Sequence, residues 1–252
     1  MVKIDARVRG NQEVALGTFL LTLSCDFPEF VPGQFVMLGL TGTCEPFLRR
    51  PLAILSRPAG ALELLYRIRG RGTALLAEKM PPETLSVLGP LGRGFGMPAD
   101  NEGAVFLAGG TGLPPILALA ERVRRGHLVF GARSIGELPL WDRLSSIEGV
   151  QALAATEDGS LGKKGLATDV LEEVLQRVSP PIVVYACGPR EMLRQAAHLA
   201  QAIGARCEVS LEEHMACGFG VCSACAVKTV SGSRRVCTDG PAFDARDIRW
   251  DG

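Results

Sequence analysis

No excess charge of either sign is present: 27 Lys and Arg residues balance 27 Asp and Glu. Without a net field the chain has no global means of steering nucleic acid or an anionic membrane. Long apolar runs are missing as well. No segment approaches the roughly 18 uninterrupted apolar residues of a membrane-spanning helix, and the opening "MVKIDARVRG" alternates like a strand where a secretory signal would be apolar. A soluble, cytoplasmic protein is expected. Histidine is scarce too. His127, His198 and His214 are the only three, and none has a partner at ligand spacing, so no role is assigned to them.

What is present is enough chain for a large core. With 252 residues and 47% hydrophobic content, the protein is long for one domain of average size, and two domains are the default. Up to about residue 100 the sequence runs in short apolar or alternating stretches broken by Gly and Pro: "KIDARV", "VALGTFLLTLS", "GQFVMLGL", "PLAILSRP", "ALELLYRIRG" and "TLSVLGP". They read as six strands, interrupted only by the helical "TALLAEKM", and predict a small antiparallel β-barrel over 1–100. From Gly103 the rhythm becomes strand, glycine-containing turn, helix, four times over, with a fifth strand at "RCEVSLEE". Apolar strands alternating with amphipathic helices predict an α/β parallel-sheet domain over 101–210, covered on both faces. The boundary falls in "MPADNEG". Residues 211–252 are short, loop-rich and poor in large apolar side chains, so a small C-terminal appendage is expected that needs a staple to fold.

The staple is offered by cysteine. Cys217, Cys222 and Cys225 are separated by four and then two residues, and Cys237 follows after eleven more. Zinc sites usually pair two short knuckles, and here one knuckle is matched by two isolated thiols. Three thiols with gaps of four and two, then a distant fourth, is the plant-type ferredoxin spacing of a 2Fe-2S cluster. Gly218, Gly220, Ser223 and Ala224 suit a loop that must take positive φ and aim N–H groups at sulfur. Zinc and two disulfides remain the alternatives. Of the other cysteines, Cys25, Cys44 and Cys207 read as buried small hydrophobes.

Two loops look built for phosphate. "LAGGTGLPP", with Gly110, Thr111 and Gly112, joins an apolar strand to a helix with proline in its first turn, as a pyrophosphate-binding turn does. It is not the standard G-x-G-x-x-G, and the next strand ends in "GARS" rather than an acidic residue for the ribose. Arg133 and Ser134 there could instead meet a 2′-phosphate. "CGPREML" closes the fourth strand of the same sheet, so Cys187, Gly188 and Pro189 could meet the first loop over one ligand. In the barrel region, "RRPLAI" places Arg49 and Arg50 beside a strand, and "YRIRGRGTALLA" puts Gly72 and Thr73 at a helix start, a second candidate cradle. A glycine-rich connection, an ordinary turn and a solvated basic face are the plain structural readings of the same residues.

Together "RRPLAI", "YRIRGRGT", "GPLGRGF", "GGTGLPP", "ACGPREML" and the cysteine run through "RVCTDGP" resemble the electron-transfer subunit of class 1B dihydroorotate dehydrogenase, of the ferredoxin-reductase superfamily, along nearly the whole chain. The resemblance implies a FAD-binding barrel, a NAD-binding domain and a 2Fe-2S segment held by Cys217, Cys222, Cys225 and Cys237. It places Arg50, Pro51, Leu52 and Ala53 along FAD with Arg50 toward the pyrophosphate, Leu65, Tyr66 and Arg67 in contact with it, and Gly72 and Thr73 on its phosphates. It puts Gly110, Thr111 and Gly112 near NAD and Cys187, Gly188 and Pro189 at the nicotinamide. One departure stands out: relatives carry Ser or Thr toward flavin N5 where this chain has Ala53. The implied activity is an oxidoreductase subunit of pyrimidine biosynthesis. Electrons from dihydroorotate, oxidised at FMN in a partner catalytic subunit, would reach NAD through the cluster and FAD, in a heterotetramer of two of each. The rivals are a subunit of another NAD(P)H oxidoreductase, such as a sulfide dehydrogenase or a ferredoxin-NADP reductase, and a zinc-stapled binding protein.

Overall fold

The structure, a computed structural model, describes residues 1–41 and 45–251. Six strands close into an antiparallel barrel: β1 (Val2–Ala15), β2 (Thr18–Ser24), β3 (Phe35–Leu40), β4 (Arg50–Ser56), β5 (Ala61–Arg67) and, after helix α1 (Arg71–Ala77), β6 (Thr84–Leu91). Their order round the barrel is β1-β2-β5-β4-β3-β6. Alternate residues such as Leu21, Leu23, Val36, Leu38, Leu62 and Leu64 fill its interior, each contributing about 1.5–3 kcal/mol on burial. One expected strand is divided. Within "VALGTFLLTLS" the chain reverses at Leu16 and Gly17, so Val14 and Ala15 end β1 and Ala15 pairs with Thr18. Gly17 supplies the positive φ of 63° that the turn requires, and apolar alternation continues across it unbroken.

The second unit runs β7 (Gly103–Gly109), α2 (Leu113–Val123), β8 (Gly126–Ala132), α3 (Trp141–Ser145), β9 (Val150–Thr156), β10 (Lys163–Lys164), α4 (Ala167–Arg177), β11 (Ile182–Cys187), α5 (Arg190–Ala202) and β12 (Arg206–Ser210). These strands form a parallel sheet in the order β10-β9-β8-β7-β11-β12. Strand residues alternate between its two faces. Phe106, Leu128, Val183 and Tyr185 pack with α2 and α3, whereas Val105, Leu107, Val129 and Val184 pack with α4 and α5. That double covering explains why the strands read as apolar runs.

The C-terminal segment contains the hairpin β13 (Ala226–Thr229) and β14 (Gly232–Arg235), the single turn α6 (Val236–Asp239) and β15 (Ala242–Asp244). It is more firmly joined than an appendage. β15 pairs antiparallel with β12 as the edge strand of the large sheet, and Cys225, Val227, Val236 and Cys237 share a core with Phe35 and Met37 of β3 and Val209 of β12. Neither link is visible in local sequence, because both depend on residues far apart in the chain.

Ion pairs fix the barrel against the large sheet. Arg143 of α3 donates from Nε and Nη2 to Glu121 of α2 (2.6 and 3.0 Å) and from Nη1 to Glu63 of β5 (2.9 Å). Arg67, at the end of β5, pairs with Glu137 beyond β8 through two bonds of 3.0 and 3.3 Å.

Candidate flavin cleft and thiol cluster

Parallel strands end together at one edge of the sheet, where backbone groups leave the ladder and a ligand can approach. Register puts Cys187 of β11 beside Ala108 of β7 and Ser210 of β12. The loops that follow are therefore neighbours. Gly112 lies so close to the Cys187 carbonyl that a Cβ would overlap it, and Gly188 rests against Gly109 and Met192 in the same way. The "GGTG" and "CGP" motifs thus meet through direct backbone packing. Cys187 itself is 2% exposed, and burial pushes its thiol far above the ordinary range, reinforced by Glu212 and opposed by a hydrogen bond with Ser210. It faces the site as a neutral group.

Between this edge and the barrel lies a cleft of about 330 Å³. Arg50, Pro51, Leu52 and Ala53 of β4, Leu65, Tyr66 and Arg67 of β5, and Thr73 of α1 line the barrel side, while Thr111 and Cys187 face them from the sheet. Gly72, Gly110, Gly112, Gly188 and Pro189 stand off this wall. Gly72 serves it from behind, because a side chain there would strike the Arg50 guanidinium. The adjacent arginines separate cleanly in role. Arg49 is spent on the barrel, donating to the Ser86 carbonyl (2.9 Å), the Ser86 hydroxyl (3.0 Å) and the Met37 carbonyl (3.2 Å). Arg50 donates to the Leu48 carbonyl and pairs with no carboxylate among the described residues, leaving a cation on the cleft wall suited to a phosphate.

Other groups on the wall are already engaged. The Tyr66 hydroxyl donates to Asn11 Oδ1 (3.0 Å), its ring stacks on Phe19, and burial pushes its phenol up to about 12 against the opposing effect of that bond. Asn11 Nδ2 in turn donates to the Leu76 and Lys79 carbonyls (2.8 and 3.1 Å), tying β1 to the end of α1. The Thr73 hydroxyl accepts from the Arg69 and Gly70 N–H groups (2.9 and 3.2 Å), closing the turn before α1. The Arg67 charge is matched by Glu137, whose carboxyl is held below its usual range mainly by that hydrogen bond.

The four clustered cysteines fall into two pairs. Cys217 and Cys222 bring their sulfurs to 3.3 Å, and the Cys225 and Cys237 thiols interact directly, with the Cys237 N–H 3.4 Å from the Cys225 sulfur. The inner pair is buried, whereas Cys222 is exposed at the surface. Among the described residues no three His, Cys, Asp or Glu side chains converge as one metal ion would require. Two pairs of thiols suit two irons better than one zinc. The loop is also prepared for negative sulfur. Gly218 and Gly220 take φ of 80° and 92°, Ser223 takes 55°, and peptide N–H groups of Cys222, Phe219 and Val221 face the Cys217 sulfur. Burial there works to raise the thiol's pKa, and those groups overcome it, bringing it down to about 6. Cys25 is half-buried and Cys207 buried; Cys44 lies outside the described residues.

The sequence model for the "iron-sulfur cluster binding domain of dihydroorotate dehydrogenase B" matches residues 212–249. The dihydroorotate dehydrogenase B (NAD(+)) electron transfer subunit of Caldanaerobacter subterraneus subsp. tengcongensis is 34% identical, with 98% of each chain covered. That of a Geobacillus species is 40% identical, over 94% of this chain and 95% of the relative. The chain belongs to the dihydroorotate dehydrogenase B electron transfer subunits. Among solved structures, the NADH-dependent reduced ferredoxin-NADP oxidoreductase studied for flavin-based electron bifurcation superimposes with a TM-score of 0.86 at 27% identity, covering 98% of this chain and 90% of that one. A Neisseria gonorrhoeae ferredoxin NADP+ reductase with bound FAD and NADP shares the fold, with a TM-score of 0.69 at 19% identity over 83% of this chain and 99% of its own.

In this family context the residues that sequence reasoning missed are instructive. Ser210, Leu211, Glu212, Glu213 and Met215 line the cleft where the chain leaves β12, with Gly33, Phe35, Arg69 and Pro241 beside them, and Pro115 of the "GGTGLPP" motif completes it. Arg69 and Pro241 fall within "YRIRGRGT" and "RVCTDGP" without being singled out by them. Ser210, Leu211, Glu212, Glu213 and Met215 share one signal, that the chain must cross the cleft between β12 and the first cysteine.

Proposed function

We propose that this chain is the oxidoreductase subunit that carries electrons from dihydroorotate oxidation, at FMN in a partner catalytic subunit, to NAD during pyrimidine biosynthesis. Residues 1–100 would hold FAD, 101–210 NAD, and 211–252 a 2Fe-2S cluster. The observation that carries the reading is the junction of two sites: Phe35 lines the cleft and also packs in the core that contains Cys225 and Cys237. A flavin in the cleft and a cluster in the thiol loop would be direct neighbours.

Bound FAD exchanges a hydride with nicotinamide and single electrons with a 2Fe-2S cluster, chemistry that no side chain supplies. The protein's own work is placement. Arg50 offers its unmatched charge to the pyrophosphate, and Gly72 and Thr73 shape the turn beside it. Pro51, Leu52, Ala53, Leu65, Tyr66 and Arg67 provide a mainly apolar wall that excludes water. Gly110, Thr111 and Gly112 admit NAD to the sheet edge, and Cys187, Gly188 and Pro189 border its nicotinamide. Ala53 offers no side-chain hydrogen bond, so contacts in this part of the wall fall to backbone. Cys217 and Cys222 would grip one iron, Cys225 and Cys237 the other.

The outer pair lies where Phe219 (45% exposed) and Val221 (76% exposed) present apolar side chains to the surroundings. A partner docking there would cover them and approach the cluster, and two copies of each subunit would give the heterotetramer. A reducing cytoplasm suits thiols that must stay unpaired until metal arrives. Reconstitution with the catalytic subunit tests the whole: NAD-dependent orotate formation should collapse in Cys222→Ala. Unchanged turnover would sink the relay, and colourless, iron-free protein from anaerobic preparation would sink the cofactor assignment.

A further inference from the structure

Among the described residues, two buried side-chain polar atoms have no hydrogen-bond partner, and one of them is the Thr238 hydroxyl. A buried hydroxyl left unpaired loses its hydration with nothing in exchange, so native structures rarely leave one without a reason. Its position supplies the reason. Thr238 follows Cys237 directly on the single turn α6. A Cβ on Gly220 would press on Thr238 Cγ2 (2.7 Å) and lie 3.7 Å from Oγ1, while the Gly220 N–H faces the Cys237 sulfur. The hydroxyl therefore lies against the cysteine loop at Gly220, on the residue that follows the fourth thiol, whose sulfur becomes anionic when metal binds. Sulfur of an iron-sulfur cluster is a hydrogen-bond acceptor, and donors to it help to set the reduction potential.

We propose that Thr238 Oγ1 is a hydrogen-bond donor to a sulfur of the bound cluster, and that this bond raises the cluster's reduction potential. The inference rests on the reading of Cys217, Cys222, Cys225 and Cys237 as cluster ligands. A donor to sulfur favours the reduced cluster, which carries more negative charge, over the oxidised one. Removing it makes the cluster harder to reduce. Thr238 would thus be a tuning residue and not a ligand.

The test uses anaerobically purified full-length protein, T238V and T238S, each first assayed for iron, acid-labile sulfide and flavin. Redox titration followed by electron paramagnetic resonance should show a more negative cluster potential in T238V, with T238S close to wild type. Resonance Raman spectra in H2O and D2O should show part of the isotope shift of the Fe–S stretches lost in T238V and kept in T238S. Iron-free wild-type protein would refute the cluster reading itself. A loaded T238V with unchanged potential and isotope shift would refute the Thr238 bond while leaving that reading intact. Should T238V not load, T238A is read in its place. Failure of both with normal loading of T238S supports a requirement for the hydroxyl, whereas failure of T238S as well overturns the proposal in favour of methyl packing.

Discussion

Gly218→Ala should loosen the cysteine loop, for two separable reasons. Gly218 holds φ at 80°, where an added Cβ costs about 1–2 kcal/mol. It also lies against Met37, and the new Cβ would overlap the Met37 side chain, with Sδ at 2.7 Å. Met37 is 0% exposed, so it has little room to retreat, and such overpacking costs about 1–3 kcal/mol. The two effects sum to roughly 2–5 kcal/mol. At about 1.4 kcal/mol per factor of ten, the lower figure already raises transient opening of the loop roughly 30-fold. The assay is iron release from anaerobically purified protein to an excess of chelator, followed by visible absorbance. Met37→Ala in the same background separates the causes, because it removes the collision and leaves the backbone strain. The double variant should therefore recover about 1–3 kcal/mol relative to additivity. Release within threefold of wild type for G218A, or strict additivity with M37A, would refute this account of how the loop is seated.

Three further outcomes are expected. Arg143→Met leaves Glu63 and Glu121 facing each other with side chains 19% and 31% exposed; between the surface and buried limits for a broken pair this is about 2 kcal/mol, and a thermal unfolding profile unchanged from wild type would contradict it. Gly112→Ala forces the first loop off the Cys187 carbonyl, so flavin reduction by NADH should slow roughly 100-fold with FAD content intact; equal loss of bound FAD would instead assign Gly112 to the flavin site. Glu102 accepts two bonds of 2.8 Å from Arg206, and chiefly through them its carboxyl is held below the ordinary 4.5. Because the native pKa is the lower one, the stabilisation is complete above the ordinary value and disappears as pH falls through the depressed one. Glu102→Gln should flatten that acid limb in denaturant titrations, and an equally steep limb would show that the pair does not carry it.

The site was only partly legible along the chain. The β4 stretch that begins at Arg50 reads directly from its motif, but "RR" cannot say which arginine is free. That depends on Met37 and Ser86, remote partners that occupy Arg49. Likewise "YRIRG" marks a contact strand without revealing that Arg67 is matched by Glu137. The run "VALGTFLLTLS" concealed a hairpin because its apolar pattern continues through the turn. Asn11, which steadies both Tyr66 and α1, belongs to no motif, since a lone amide in an alternating strand looks like any solvated position.

Local spacing by itself determined the alternation of a barrel with a strand-and-helix repeat, the glycine turns at strand ends and the grouping of four thiols, because periodicity and short-range geometry depend only on neighbours in the chain. Tertiary structure alone decided that those thiols divide into an inner and an outer pair, that β15 ties their segment to the edge of the large sheet, and that Phe35 serves cleft and cluster core at once. Such contacts join residues as far apart in the chain as Phe35 and Cys237, and they form only when burial of apolar surface brings the three segments together.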